Sequence, residues 1–251
     1  MPFFLYILNI TLLARIIVFR GDAPAPWYRV LIAGIAQAAA AWLLIADLGA
    51  PLWTLISAYI ALAVAVEYLP RCRVISRLSL LVLFTLVAAH LITLHQPQWR
   101  SWLGDIRDWV RASLVFGKVA RADWTRALIR ISGLLLCFDE SNMLVRVVLS
   151  AAGIRIPGTA PRMEPVPDAT ATDQHNQLVR SAVIGNLERV LVFIFVLHGA
   201  FNAVPFIITA KGIVRFHELV KPEWAAYVLI GTLLSTLAAI GLGLAALQLL
   251  S

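Results

Sequence analysis

The chain of 251 residues is 61% hydrophobic and 14% charged, with a mean hydropathy of +0.84, whereas soluble domains are roughly 45–50% apolar and about 25% charged. This excludes an ordinary soluble domain and a membrane β-barrel, because the apolar residues come in runs near the ~20 that a membrane-crossing helix needs rather than in short alternating segments. The net charge of +7 does not indicate nucleic acid as a partner, since Lys and Arg fall between the apolar runs, where orientation and anionic headgroups account for them.

Taken in chain order, the runs 3–19, 30–48, 51–69 and 78–94 read as four membrane spans, which together make an N-terminal helical region over 1–97. The small residues Ala23-Pro24-Ala25 imitate a signal-peptide cleavage site. The absence of a basic leader and the presence of Arg15 and Arg20 after the apolar stretch argue for a retained span. Leu48-Gly49-Ala50-Pro51 ends one helix and opens the next, predicting a helical hairpin. Gly34 with Ala38, Gly231 with Ser235, and Ala239 with Gly243 place small residues four apart, which lets helices approach closely in a bilayer.

Residues 98–123 differ in kind. Trp99, Trp102, Leu103, Ile106, Val110 and Leu114 recur at helical spacing opposite Arg100, Arg107 and Arg111, predicting an amphipathic helix in the headgroup plane. Its partners are expected to be the bilayer itself, anionic lipid along Trp99–Arg111, or a protein recruited to that face. A broken membrane segment follows over 124–153. Next comes a linker over 154–180 marked by Pro157, Pro161, Pro165 and Pro167, and then a C-terminal membrane module, 181–251, whose run 224–250 is a fifth full span.

Two apolar stretches carry polar interruptions, Cys137-Phe-Asp-Glu-Ser-Asn142 and His198-Gly-Ala-Phe-Asn-Ala-Val-Pro205. Irregular backbone at membrane depth is tolerated only where it is buried in protein or lines a wet cavity. If both stretches cross, the chain has seven spans, and the loops carry nine Lys and Arg on each side. If both dip in and return as re-entrant pairs, leaving five full spans, the split becomes thirteen against five. The second arrangement gives a clear cytoplasmic side with the N-terminus on it. It also places Glu188 and Lys211 at one membrane face, where they can pair, whereas one straight helix would separate them by about 34 Å.

Ionisable residues at membrane depth default to paired or functional roles. Arg15, Glu67, Glu188 and Arg189 lie near span ends, where snorkelling to the headgroups is the simple expectation. Asp139 is placed to cap a helix beginning at Glu140, and the pair could alternatively bind a cation or move protons. His198 is a lone histidine suited to hydrogen bonding or proton relay. His90 and His95 point about 140° apart on a helix and do not chelate. Cys72 and Cys137 are too few for a thiolate metal site or a disulfide framework. No nucleophile motif, phosphate loop or metal-ligand spacing is present, so no metal and no cofactor are expected and an enzyme is the lesser reading.

Three blocks stand out in the last third: Gly185-Asn-Leu-Glu-Arg-Val-Leu-Val-Phe193, Ala210-Lys-Gly-Ile-Val-Arg-Phe216 and Tyr227-Val-Leu-Ile-Gly-Thr-Leu-Leu-Ser235, with Asn142-Met-Leu-Val-Arg146 upstream. In order and spacing this resembles an uncharacterised bacterial polytopic inner-membrane protein family, known as a domain of unknown function. The resemblance implies a multi-pass protein of the bacterial inner membrane, with Glu188, Arg189, Lys211 and Arg215 as motif positions, and it brings no activity.

The expectation is an all-α polytopic bundle of five full spans plus two broken or re-entrant segments, with seven spans as the alternative. Helix breaks expose helix ends and free backbone groups, which transporters use to hold ions and polar solutes. A small transporter or channel-like component follows, with Asp139, Glu140, Asn142, His198 and Asn202 lining its site. The rival is a non-catalytic membrane scaffold or sensor that recruits a protein partner, or a second copy of itself, through its cytoplasmic face.

Overall fold

A computed structural model of the protein describes residues 2–19, 25–47, 49–68, 73–95, 97–101, 105, 123–151, 168–214 and 222–251. The elements are α1 (Pro2–Val18), α2 (Trp27–Leu44), β1 (Ile45–Asp47), α3 (Gly49–Glu67), α4 (Arg73–His95), β2 (Gln98–Trp99), α5 (Trp124–Ala151), α6 (Asp168–Leu197), α7 (Ala203–Val214) and α8 (Pro222–Leu250). Among the described residues four helical stretches, Trp27–Leu44, Gly49–Glu67, Arg73–His95 and Leu229–Leu250, are long and apolar enough to cross a membrane, while Pro2–Val18, expected as the first full span, is a shorter apolar helix. The chain divides into two compact units, Met1–Leu135 and Leu136–Ser251.

In the first unit α1 packs on α2 and α4, α2 on α3, and α3 on α4, closing a ring of antiparallel helices. Ile7, Ala41, Ile56, Tyr59 and Phe84 fill its centre. Ile32, Ile35, Leu83 and Leu86 face outward, as apolar side chains do when the surrounding solvent is lipid. The hairpin predicted at 48–51 contains an extra device, since the chain leaves α2 as β1 and pairs antiparallel with β2, Ile45 opposite Trp99. Gly49 then takes φ 67°, a left-handed conformation that costs glycine little. Gln98 and Trp99 are therefore strand rather than the start of the amphipathic helix. Trp99 stacks on Phe3 at 4.4 Å between ring centroids, and Arg100 lies 4.7 Å from the Trp42 ring. Residues 102–104 and 106–122 of that expected helix lie outside the described residues.

The second unit differs from expectation at its start. Residues 137–142 do not break the chain, because α5 runs through them as one helix of 28 residues, and Asp139 is interior to it rather than a cap. The stretch 154–180 is not linker throughout, since α6 begins at Asp168. The break at 198–202 is present. Ala200 N–H donates to Phe195 C=O at 2.8 Å and Gly199 N–H to Val196 C=O at 3.0 Å, with Gly199 at φ 69°. This is the Schellman arrangement that stops a helix by satisfying its last carbonyls. Pro205 sits in the first turn of α7, where its missing N–H has no intrahelical partner to lose.

Helices α6 and α8 pack together. Arg189 meets Ser235 and Gly243 meets Val196, a nearly constant sequence offset that makes the two helices parallel. A Cβ on Gly243 would stand 2.6 Å from Val196 Cγ1 and 2.8 Å from its Cβ, so hydrogen at this position sets the approach. Gly34 does the same for α2 against Ile60 of α3, at 2.7 Å. A Cβ on Gly231 would stand 3.9 Å from Leu149 Cδ1, an ordinary contact that does not require glycine.

Candidate functional site

Arg189 is the organising residue of the second unit. It is 5% exposed, which corrects the expectation that it snorkels. Its Nε donates to Cys137 C=O at 2.8 Å, and Nη1 donates to Asn142 Oδ1 at 2.8 Å and Ser235 Oγ at 3.2 Å. Nη2 donates to Phe138 C=O at 3.3 Å and to Asn186 Oδ1. Five donors on a planar fork meet oxygens from α5, α6 and α8, and a guanidinium has no more N–H groups to offer. The polar cluster at 137–142 therefore exists to receive an arginine rather than to break a helix. Ser141 Oγ reaches the carbonyl of Leu136, five residues back, at 2.9 Å, a local distortion of the kind side-chain back-bonding produces.

One helical step away, Glu188 forms an ion pair with Lys211 of α7, the two side chains 19% and 13% exposed. Lys211 reaches Glu188 because the turn at Gly199 returns α7 along α6. Glu188, Arg189 and Lys211 with Ser235 and Thr236 line a cavity of about 240 Å³, part of it open to the outside, whose apolar wall is Val192, Ile207 and Ile208. The site thus carries charges of both signs and two hydroxyls on a largely apolar lining.

The residues expected to line a site divide. Asn142 joins the cluster through Arg189 and donates to Asn186 Oδ1 at 3.4 Å. Glu140 is buried at 8% exposure on the same helix, whereas Asp139 is described only as helical backbone. His198 and Asn202 sit in the exposed turn, and the His198 ring bonds the Ile194 carbonyl at 2.9 Å. Nine residues of helix separate His198 from Arg189, about 13 Å, so the two belong to different levels. Of the motif positions, Glu188, Arg189 and Lys211 converge, while Arg215 lies outside the described residues. Ser235 and Thr236 were not singled out as site residues by the sequence. Their signal is the position of Ser235 in a small-residue stripe, and small polar residues on such stripes also serve as acceptors.

The first unit buries a second charged group. Arg77 donates to both carboxylate oxygens of Glu67, from Nε at 2.8 Å and Nη2 at 2.7 Å, and Glu67 also accepts from Ala25 N–H at 2.8 Å. Arg77 and Arg15 lie 4.4 and 5.2 Å from the ring of Phe19. Glu67 and Arg15 are 7% and 4% exposed, so they are paired or packed inside rather than snorkelling. No family model matches this chain, and neither a curated protein nor a solved structure does.

Proposed function

We propose that this is a multi-pass protein of the bacterial inner membrane that acts as a small transporter or channel-like component, with its polar site at the Glu188–Lys211 cavity rather than at the turn. The observation that carries this reading is the ion pair itself, held at the edge of a cavity beside two hydroxyls by a helix that doubles back. Depth supports it. By its register on α6, Ser235 lies about 9 Å along the apolar stretch that starts at Leu229, whereas the turn at 198–202 lies level with a point about 24 Å along it, in a total of about 33 Å. The α6–α7 hairpin re-enters deeply in this reading, and the ion pair occupies the inner half of the bilayer nearer the side it entered from. A charged pair there is held at a cost that a functional need offsets.

A small zwitterion suits the cavity, because its ammonium and carboxylate can exchange with the existing partners without leaving a charge unpaired. The test is uptake of radiolabelled glycine, lysine and glutamate by proteoliposomes. The expected result is uptake of glycine above empty liposomes, lost in Glu188→Gln and in Lys211→Met. Folded wild-type protein that moves none of the three would overturn the reading, as would full uptake by both variants. The scaffold reading rests on 98–123, where Trp99 and Arg100 are already engaged within the first unit, and no described contact favours it.

A further inference from the structure

One short helix closes the Glu188–Lys211 cavity. Glu188, Arg189 and Val192 of α6 with Ser235 and Thr236 of α8 form one side, and Ile207, Ile208 and Lys211, all from α7, form the other. The ion pair runs directly across, its two side chains 13% and 19% exposed, so a solute takes both charges only when they separate.

Helix α7 is lightly held. Val204 is the one buried residue of its twelve, and Phe206, Ile213 and Val214 are 76%, 71% and 78% exposed. Its apolar contacts with α6 are weak restraints in a bilayer, because lipid tails are as apolar as Ile or Leu and replace them at little cost. The five N–H groups of Arg189 are spent on α5, α6 and α8. The pair of Lys211 with Glu188 is then the strongest tie on α7, an attraction of opposite charges in surroundings of low dielectric constant.

The other end of α7 supplies a pivot. Gly199 turns the backbone at φ 69°, and Gly199, Phe201 and Asn202 are exposed. A Cβ at Gly199 would meet no atom within 4 Å, so nothing packs against the bend there. Residues at the ends of helices in such turns are where hinged closure absorbs its changes of φ and ψ.

We infer, taking that cavity as the solute site, that α7 is a hinged cover over it, pivoting at residues 199–202 and latched by Lys211 on Glu188. Opening an empty site bares two charges at membrane depth, which is costly. With a zwitterion between them each charge keeps a partner, so a loaded site opens and an empty one stays shut.

Spin labels at Ile213→Cys and Leu237→Cys, 71% and 62% exposed, report the separation of α7 from α8 by double electron–electron resonance. The full chain carries Cys72→Ser and sits in phosphatidylcholine nanodiscs, and Cys137, at 0% exposure, stays unlabelled. From residue 203 to 213 α7 runs about 15 Å, so a swing of roughly 20° carries Ile213 outward by about 5 Å. One narrow distribution is expected with the latch intact, and also in Lys211→Arg, which keeps it. Two double variants, Glu188→Gln with Lys211→Met and Glu188→Leu with Lys211→Leu, remove both charges and strand neither. Whichever keeps its helices by circular dichroism should show the distribution moved outward or broadened by that distance. An unmoved distribution in the folded double variant, or equal opening in Lys211→Arg, would overturn the inference. No solute enters this measurement, so a failed uptake assay strikes the transport reading and leaves the cover standing.

Discussion

Arg77 and Glu67 show how a charged pair is kept inside a helical membrane unit. The carboxylate takes two bonds from the guanidinium and one from Ala25 N–H, so it ties the ends of α3 and α4 to the chain entering α2. Removing one partner leaves the other as an uncompensated buried charge, a loss of about 3–5 kcal/mol. Arg77→Leu is therefore expected to lower the unfolding midpoint in detergent sharply, and Glu67→Leu with Arg77→Leu to recover part of the loss. A double variant no more stable than Arg77→Leu alone would show that the pair is not the source of the effect. Arg189 donates all five of its N–H groups to neutral oxygens on three helices. Arg189→Lys keeps the charge but offers three N–H groups in place of five, and is expected to destabilise the second unit nearly as much as Arg189→Met.

At the scale of elements, the α6–α8 contact depends on one missing methyl group. Gly243→Ala places a Cβ against the backbone-proximal atoms of Val196, which cannot swing away as the tip of a long side chain could. Overpacking of this kind costs about 1–3 kcal/mol, and Val196→Ala should restore most of it. Unfolding midpoints of the two single variants and the double variant measure that coupling. The uninterrupted α5 makes a second claim. Residues 126 and 150 are about 36 Å apart along it, so single cysteines at these positions should react with a membrane-impermeant maleimide from opposite faces. Labelling of both from one face would restore the re-entrant form that the loop charges suggested for 127–152. The charge count itself survives the burial of Arg77 and Arg189, since leaving them out gives twelve against four for the re-entrant arrangement and seven against nine for seven spans.

For the whole molecule, the consequence of four apolar stretches with outward-facing Ile, Leu and Val is integral insertion. The protein should remain in the membrane pellet after an alkaline carbonate wash and leave it only with detergent.

Legible in the residues alone were the helical membrane class, the positions of the four long apolar helices, the stop at Gly199 and the close approaches at Gly34 and Gly243. Each of these follows from local composition: a run of apolar residues needs no partner to be recognised as lipid-compatible, and a glycine at a helix end or on a small-residue stripe acts through its own geometry. Charge placement was a matter for the tertiary structure. Asp139, Glu140 and Asn142 read as a break because polar residues within an apolar run have no local partner, and the guanidinium that receives Asn142 and the nearby carbonyls comes from a helix 47 residues away. Glu67, likewise, could be told from a snorkelling residue only once the end of its helix had met Arg77 at the start of the next. The desolvation cost of a polar group depends on what lies across from it, and that is fixed by how helices pack rather than by what is adjacent in the chain.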